Sequence, residues 1–89
     1  MLEHELIIPN KLGLHARAAA KLVQTASRFQ SKTEVICKGR EVNAKSILGV
    51  MMLAAGKGTP IRLRVNGSDE AEALAAVVQL IERRFDEAE

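Results

Sequence analysis

Gly13, His15 and Arg17 occupy alternate positions in one short stretch, and their types suit phosphoryl chemistry. A strand-like segment ends before them at Pro9, and a helical pattern begins at Ala16. The first N–H groups of a helix lack partners within the helix, and the helix dipole is positive there, so this end binds anions. Arg17 can hold a phosphate through two parallel N–H groups. A nucleophilic imidazole, unpaired N–H groups and a fixed cation together predict a phosphoryl group carried on His15.

A plainer interpretation of the same residues is also open. A single histidine in a small domain is usually a polar surface residue or a helix cap, and Gly13 on its own indicates only a turn. The combination favours chemistry, because Gly13 allows a sharp turn, His15 follows it and Arg17 lies in the first helical turn. Alanines at 18–20 are expected to leave the surroundings uncluttered. His4 lies in a strand pattern without an adjacent arginine, so it is not a candidate.

Length and charge narrow the possible classes of protein. The 89 residues form one domain, 1–89, that can bury only about 60–65% of its unfolded surface. Residues 1–64 hold 11 Lys/Arg and 4 Asp/Glu, a charge of +7, whereas residues 65–89 hold 2 and 7, a charge of −5. The basic body suits an anionic substrate, an acidic protein partner or nucleic acid, so charge alone does not decide between them.

Composition excludes several other classes. Phe29 and Phe85 are the only aromatic residues, which disfavours recognition of single-stranded nucleic acid by base stacking. Cys37 is the only cysteine, so an intramolecular disulfide is impossible, and no Cys/His spacing indicates zinc. The sequence shows neither a signal peptide nor an apolar run long enough to span a membrane. We expect a soluble cytoplasmic protein, without metal or cofactor.

Hydrophobic periodicity predicts the elements. Alternation of apolar and polar residues predicts strands over 2–8, 32–38, 40–43 and 60–66. Spacing of three and four predicts helices over 16–28, over 47–55 and from about residue 70 onward. The last helix is expected to bury a stripe made of Ala71, Leu74, Ala75, Val78, Ile81 and Phe85. The order βαββαβα, with one apolar face per strand, predicts an α+β open-faced sandwich: a four-stranded, mainly antiparallel sheet with three helices on one face.

Two positions are predicted to cap helices. Ser46 precedes an apolar segment and can act as an N-cap, and Asp69 with Glu72 resembles a capping box. The segment 47–55 is apolar on nearly all sides, and a small domain cannot bury every side of it. Part of it is therefore expected to form an exposed contact patch. The loop 56–58 is not a nucleotide-binding loop, because Gly rather than Ser or Thr follows Lys57.

With Gly13-Leu14-His15-Ala16-Arg17 and the segment Asn43-Ala44-Lys45-Ser46-Ile47-Leu48-Gly49-Val50-Met51 both present, the chain resembles the bacterial phosphocarrier protein family HPr. The resemblance covers essentially all 89 residues. It implies a histidine-phosphorylated shuttle of the phosphoenolpyruvate-dependent phosphotransferase system, rather than an enzyme that turns over independently. Such a shuttle receives a phosphoryl group from enzyme I and passes it to a IIA domain.

The resemblance also implies roles for individual residues. His15 matches the histidine that is phosphorylated on Nδ1, Arg17 matches the arginine that contacts the phosphate, and Ser46 matches a regulatory serine phosphorylated by HPr kinase in many members. Partners would dock on the apolar residues of the second motif and be steered by nearby cations. The expected docking residues are Lys21, Lys45, Ile47, Leu48 and Met51. We expect a monomer that binds no nucleic acid and does not insert into membranes.

Two departures from the family pattern leave the branch open. Many members have proline directly after the arginine, where this chain has Ala18. The ending Arg84-Phe85-Asp86-Glu87 and the alanines at 18–20 are similar to the nitrogen-branch relatives called NPr. The sequence therefore does not decide between sugar uptake and a regulatory branch, nor does it identify the IIA partner.

Two other classes are alternatives. A small basic nucleic-acid-binding domain would fit the charge of residues 1–64, but the few aromatic residues and the acidic C-terminal segment disfavour it. A hydrolase that uses His15 would need a second catalytic group, and no Ser–His–Asp or paired-carboxylate pattern is present.

Overall fold

A computed structural model describes residues 1–88 and contains one four-stranded sheet. Its strands are β1 (Leu2–Ile7), β2 (Lys32–Cys37), β3 (Arg40–Asn43) and β4 (Pro60–Asn66). Their spatial order is β1-β4-β2-β3, and every neighbouring pair is antiparallel. β2 and β3 are joined by a two-residue turn in which Lys38 and Gly39 both have positive φ, as a tight hairpin requires.

Three helices, α1 (Ala16–Ser27), α2 (Ile47–Met52) and α3 (Glu70–Glu82), complete the open-faced sandwich, and the predicted fold class is confirmed. The sheet turns alternate residues toward the helices because successive side chains of a strand point to opposite faces. Thr33, Val35 and Cys37 on β2 are buried, as are Ile61, Leu63 and Val65 on β4. None of the helices within residues 1–88 combines the length and hydropathy needed to cross a bilayer.

The opposite face of the sheet is polar and is organised around Arg64. Its guanidinium lies 3.1 Å from Glu3 of β1, 3.6 Å from Glu34 of β2 and 2.8 Å from Glu41 of β3. Arg64 is on β4, one of the two inner strands, and it links carboxylates from all three other strands. Such partly exposed pairs contribute little stability singly but suit a solvated sheet face.

The alanines at the start of α1 are placed differently from the prediction. Ala18 and Ala19 are completely buried in the core rather than leaving open space around the helix start. Their methyl side chains allow α1 to lie close to its neighbours, and larger residues there would have to displace core side chains. The small residues therefore serve the packing of α1.

α2 is shorter than predicted, ending at Met52 instead of residue 55. The helix stops because the chain turns at Ala54, which has a φ of +50°. This turn buries both Leu53 and Ala55. Residues 53–55 extended the apolar sequence pattern, but Leu53 and Ala55 fill the core from a loop, and Ala54 between them is exposed.

The buried stripe of α3 is also displaced from the prediction. Ala73, Val77, Leu80 and Ile81 are the buried residues of this helix, whereas Ala71 and Ala75 are exposed. Leu74 and Val78 lie partly buried beside the core. Phe85 is buried as predicted, but it lies beyond the helix in a separate turn, Arg84–Asp86.

Asp69 occupies the N-cap position of α3 but does not form the predicted capping box. Its side chain makes no capping hydrogen bond, because it is directed at the loop between α1 and β2. There the carboxylate accepts from the backbone N–H groups of Gln30 and Ser31, each at 2.9 Å, and from the Ser31 hydroxyl. Asp69 thus joins the start of α3 to the start of β2.

We predict that Asp69 makes the stability of the domain depend on acidic pH. Hydrogen bonds from the Ser31 hydroxyl and from backbone N–H groups lower the pKa of Asp69 below its ordinary value of 3.8. Its contribution is therefore present above about pH 4 and lost as pH falls through the lower native pKa. Urea unfolding at several pH values should show a flatter acidic limb for Asp69→Asn than for wild type. Unchanged curvature would contradict this role, and Glu72→Gln provides a control of equal charge change.

Candidate functional site

His15 occupies the N-cap position of α1, at the junction of loop and helix that the sequence predicted. Its backbone is extended, with φ −73° and ψ 178°, and its carbonyl accepts the first helical hydrogen bond from Ala19 at 2.8 Å. The imidazole makes no capping bond to the helix, so the ring is available for other contacts. The N–H groups of the first helical turn have no acceptor within the helix, and they provide partial positive charge beside the ring.

Gly13 determines how the chain enters this helix. It has a φ of +66°, and a Cβ built at this position would lie 2.3 Å from the carbonyl oxygen of Ala55. A side chain is thus excluded both by conformation and by space. The next residue, Leu14, donates its N–H to the same Ala55 oxygen at 2.9 Å. Gly13 allows the loop to lie directly against the segment that follows α2.

An open cleft of about 860 Å³ contains the ring of His15. Arg17 and Lys21 of α1 line the cleft together with Lys11, which adds a third cation. Arg17 is exposed, and its guanidinium makes no hydrogen bond within the part of the chain that is described. The cleft therefore combines an imidazole, the start of a helix and several positive charges, an arrangement suited to a phosphoryl group.

A carboxylate from the far end of the chain also enters the cleft. Oε2 of Glu87 lies 2.5 Å from Nε2 of His15, and Oε1 of Glu87 accepts from Nδ2 of Asn10 at 2.9 Å. Asn10 is completely buried and also donates to the carbonyl of Gly13 at 2.8 Å. One buried amide therefore connects the loop before His15 to the carboxylate that contacts its ring.

Glu87 is ionised in this arrangement. Burial alone would raise the pKa of its carboxyl group, but the hydrogen bonds from Asn10 and His15 and the nearby charge of Arg17 outweigh burial and lower the pKa. Only the imidazole can donate in a bond between an imidazole and a carboxylate, so Nε2 carries the proton. Nδ1 makes no hydrogen bond with any of residues 1–88, so in the neutral form of the ring it is the nitrogen that holds the lone pair.

The tail that carries Glu87 is held by two further contacts. Phe85 is completely buried, and its carbonyl accepts from Nζ of Lys21 at 2.7 Å. Arg84, Phe85 and Asp86 all have φ between 55° and 61°, a left-handed turn that non-glycine residues rarely adopt. This turn reverses the chain after α3 and brings Glu87 back over α1.

Ser46 lies apart from the cleft residues, at the start of α2. Its hydroxyl accepts from the N–H of Gly49 at 3.2 Å, which confirms the predicted N-cap. The helix that follows exposes large apolar side chains, as expected: Ile47 (41%), Leu48 (73%), Met51 (38%) and Met52 (66%). We refer to these four residues as the α2 patch. Because α2 packs beside α1, the patch belongs to the same side of the sheet as His15.

Two of the expected docking cations have internal partners. Lys21 donates to Phe85 in the tail, and Nζ of Lys45 donates to the carbonyl of Phe29 at 2.8 Å, just beyond α1. Both lysines are only partly exposed. They retain their positive charge near the cleft and the α2 patch, but each also holds the fold together.

Sequence reasoning missed Asn10 and Glu87. The signal for Asn10 is its position directly after Pro9 and three residues before Gly13, where a side-chain amide commonly stabilises a loop. The signal for Glu87 is Phe85, because a large aromatic residue after the last helix must be buried and so returns the tail to the core. Neither signal indicates contact with His15.

The comparisons with known proteins agree with this fold. A model of the family described as "PTS HPr component phosphorylation site" matches residues 2–83. A phosphocarrier protein HPr of Xylella fastidiosa is 67% identical over 98% of both chains. The crystal structure of HPr-C-His from Thermoanaerobacter tengcongensis is 48% identical and superposes with a TM-score of 0.96 over the full length of both chains. An HPr dimer from the same organism is 49% identical, with a TM-score of 0.79 over 98% of this chain and 100% of the other.

The fold and the matching family model define a small domain of the phosphocarrier class. The chain belongs to the HPr family of phosphocarrier proteins of the phosphotransferase system. Among the three classes considered from the sequence, family membership selects the carrier over a nucleic-acid-binding domain or an independent hydrolase.

Proposed function

We propose that this protein accepts a phosphoryl group from enzyme I on Nδ1 of His15 and donates it to a IIA domain. The observation that carries the proposal is the position of His15, which caps α1 in an open cleft beside Arg17 with Nδ1 unengaged by residues 1–88. This position lies within the residues matched by the phosphorylation-site model. No cofactor is required, since both the incoming and the outgoing bonds are made to the same ring nitrogen.

The proposed transfer uses few groups of this chain. The lone pair of Nδ1 attacks phosphorus, a new N–P bond forms, and the bond between phosphorus and the donor's leaving atom breaks. Arg17 and the N–H groups at the start of α1 offset the negative charge of the phosphoryl oxygens. The partner enzymes supply the remaining groups. In the second transfer a nucleophilic atom of the IIA domain forms a bond to phosphorus, the N–P bond breaks and its electrons return to Nδ1.

The α2 patch is the proposed docking surface for both partners. An exposed apolar cluster of this kind is typical of a protein-binding site, and Arg17, Lys21 and Lys45 add positive charge that favours acidic partners. A shared surface beside His15 would allow each partner to present its own reactive group to the same ring. The two partners would then bind one after the other.

We propose that the carrier acts in the cytoplasm and as a monomer. Enzyme I and the IIA domains would have to reach His15 in the same compartment. The HPr dimer from T. tengcongensis indicates that a related chain can also associate. Sugar uptake and the nitrogen branch remain the two candidate pathways, and labelling different IIA domains from the phosphorylated carrier would distinguish them.

His15 is expected to be the sole site of enzyme I labelling. After incubation with enzyme I and phosphoenolpyruvate, mass spectrometry should find one acid-labile phosphate on wild type and none on His15→Ala. The matched control is His4→Ala, since His4 is an exposed histidine within the strand β1 and does not precede a helix. An acid-labile label that persists in His15→Ala would disprove the proposal.

Arg17 is expected to support transfer rather than folding. Because its side chain is exposed, Arg17→Ala should change the free energy of unfolding by about 0.5 kcal/mol or less. The rate of His15 phosphorylation should fall, and Arg17→Lys should restore it only in part because an ammonium lacks the two-pronged geometry. Stopped-flow or quench-flow labelling by enzyme I measures the effect. Equal rates for Arg17→Ala and wild type would contradict it.

Ser46 is the proposed regulatory site. A phosphate there would lie at the start of α2, so it should leave the domain folded, while adding about two negative charges beside Ile47 and Leu48 on the α2 patch. An acidic partner would then be repelled. HPr kinase, if the host has one, would be the enzyme that adds the phosphate.

Ser46→Asp should therefore slow phosphorylation of His15 by enzyme I at low salt without lowering the melting temperature. Ser46→Ala is the matched control, and it should lose about 1 kcal/mol of stability with the N-cap bond to Gly49. Both variants should be compared by thermal melting and by the initial rate of labelling. If Ser46→Asp accepts phosphate as fast as Ser46→Ala, Ser46 is only a helix cap.

A further inference from the structure

The contact between Glu87 and His15 links residues 72 positions apart. The Glu87 side chain is only 13% exposed, and both of its carboxylate oxygens are engaged, one by Asn10 and one by His15. Asn10 is completely buried and is itself fixed by its second bond to Gly13. The carboxylate therefore has a defined position relative to the imidazole.

The contact selects between the two forms of the neutral imidazole. A neutral histidine carries its proton on one ring nitrogen and a lone pair on the other, and the hydrogen bond made by one nitrogen sets the role of the other. Glu87 accepts from Nε2, so the proton stays there and the lone pair stays on Nδ1. The nitrogen with the lone pair is the one that can attack phosphorus.

We propose that Glu87, held in place by Asn10, is the positioning residue that keeps Nδ1 of His15 nucleophilic and offsets the charge of the phosphorylated ring. This inference rests on the proposed transfer through Nδ1. Neither residue touches the phosphoryl group in the proposal. Both act through the orientation and protonation of the ring.

The charge balance of the transfer gives Glu87 its second role. When Nδ1 forms its bond to phosphorus while Nε2 keeps its proton, the ring becomes a cation. The Glu87 carboxylate, which already accepts from Nε2, neutralises that cation without any proton transfer. In the reverse step the N–P bond breaks, its electrons return to Nδ1, and the ring leaves as a neutral imidazole with its proton still on Nε2.

The tail contacts explain why Glu87 stays at the ring. Phe85 is buried two residues before it, and Lys21 binds the carbonyl of Phe85. The left-handed turn Arg84–Asp86 is unfavourable for these residues. It is held by the burial of Phe85, by the bonds to Lys21 and Asn10, and by the 3.0 Å ion pair between Arg83 and Asp86. The tail is thus fixed to α1 on one side and to the loop before His15 on the other.

Glu87→Gln gives a sharp test because it should move the proton of the neutral His15 ring from Nε2 to Nδ1. Asn10 donates its amide, so it should select the oxygen of the new side chain and leave the NH₂ group facing Nε2. An NH₂ group donates, which would move the ring proton to Nδ1 and remove the lone pair from it. Nitrogen-15 chemical shifts of the His15 ring, measured where the ring is neutral, distinguish the two forms directly.

The chemical consequence can be measured without any partner protein. Phosphoramidate, a small phosphoryl donor, should phosphorylate His15 of Glu87→Gln on the order of tenfold more slowly than wild type. The size of this effect is taken from metal sites, where loss of the carboxylate that orients a histidine lowers affinity or activity by a similar factor or more. Glu87→Ala should fall between the two, because it leaves the ring without a preference. Glu72→Gln removes the same charge from an exposed position near the other end of α3 and should behave as wild type.

Asn10→Ala tests the link to Glu87. It should reduce the preference for the proton on Nε2, and in the double variant with Glu87→Ala it should add nothing further, because both changes break the same arrangement. An amide correlation spectrum must first show that the variant is folded. If Asn10→Ala does not fold, Glu87→Gln and Glu87→Ala still decide the role of the carboxylate.

The proposal is overturned if Glu87→Gln keeps the ring proton on Nε2 and is phosphorylated by phosphoramidate as fast as Glu72→Gln. The proposal is supported if the ring proton of Glu87→Gln moves to Nδ1 and its phosphorylation by phosphoramidate slows while the amide spectrum stays native. Failure of enzyme I to label wild type would instead refute the proposed function. The two failures are distinguishable because phosphoramidate and the nitrogen shifts involve no partner protein.

Discussion

The close approach of Gly13 to the backbone that follows α2 is the constraint on which the site depends. The hydrogen bond from Leu14 to Ala55 joins the loop before α1 to the segment after α2, and no side chain at Gly13 would fit. This contact fixes where α1 begins, and therefore where His15 lies relative to α2. The candidate histidine and an exposed apolar helix are positioned together by two backbone segments rather than by the flexible side chains themselves.

A second constraint acts from the C-terminal end. α3 stops at Glu82, and the left-handed turn after it returns the chain toward α1, where Phe85 fills the core. The turn is intrinsically unfavourable by about 1 kcal/mol or more per residue, so its persistence requires that the surrounding contacts determine it. Those contacts include the bonds to Lys21 and Asn10, which both lie beside the site. The contacts that hold this unfavourable turn therefore involve residues that also surround His15.

The sequence predicts the sheet and α1 well, because a half-buried strand alternates strictly and α1 has clearly separated polar and apolar faces. The prediction of the buried face of α3 is wrong, because apolar residues fill every position from 73 to 78 and periodicity does not identify the buried side. The capping box predicted at Asp69 is wrong for another reason: its carboxylate could accept either from the N–H groups of its own helix or from those of Gln30 and Ser31. The pairing of Glu87 with Asn10 and His15 joins distant parts of the chain, and no local pattern encodes such a contact.

The site supplies only part of the groups needed for transfer and leaves the rest to a partner, which suits a phosphoryl carrier. A carrier must accept and release the same group, so its nucleophile has to be reactive without being enclosed by a complete catalytic apparatus. The His15 side chain keeps 26% of its surface exposed, and its contact within residues 1–88 is made at Nε2, on the opposite side of the ring from the proposed attacking nitrogen. Each partner could therefore approach Nδ1 and supply its own stabilising groups. The chain itself would contribute an oriented ring, a nearby cation and the start of a helix.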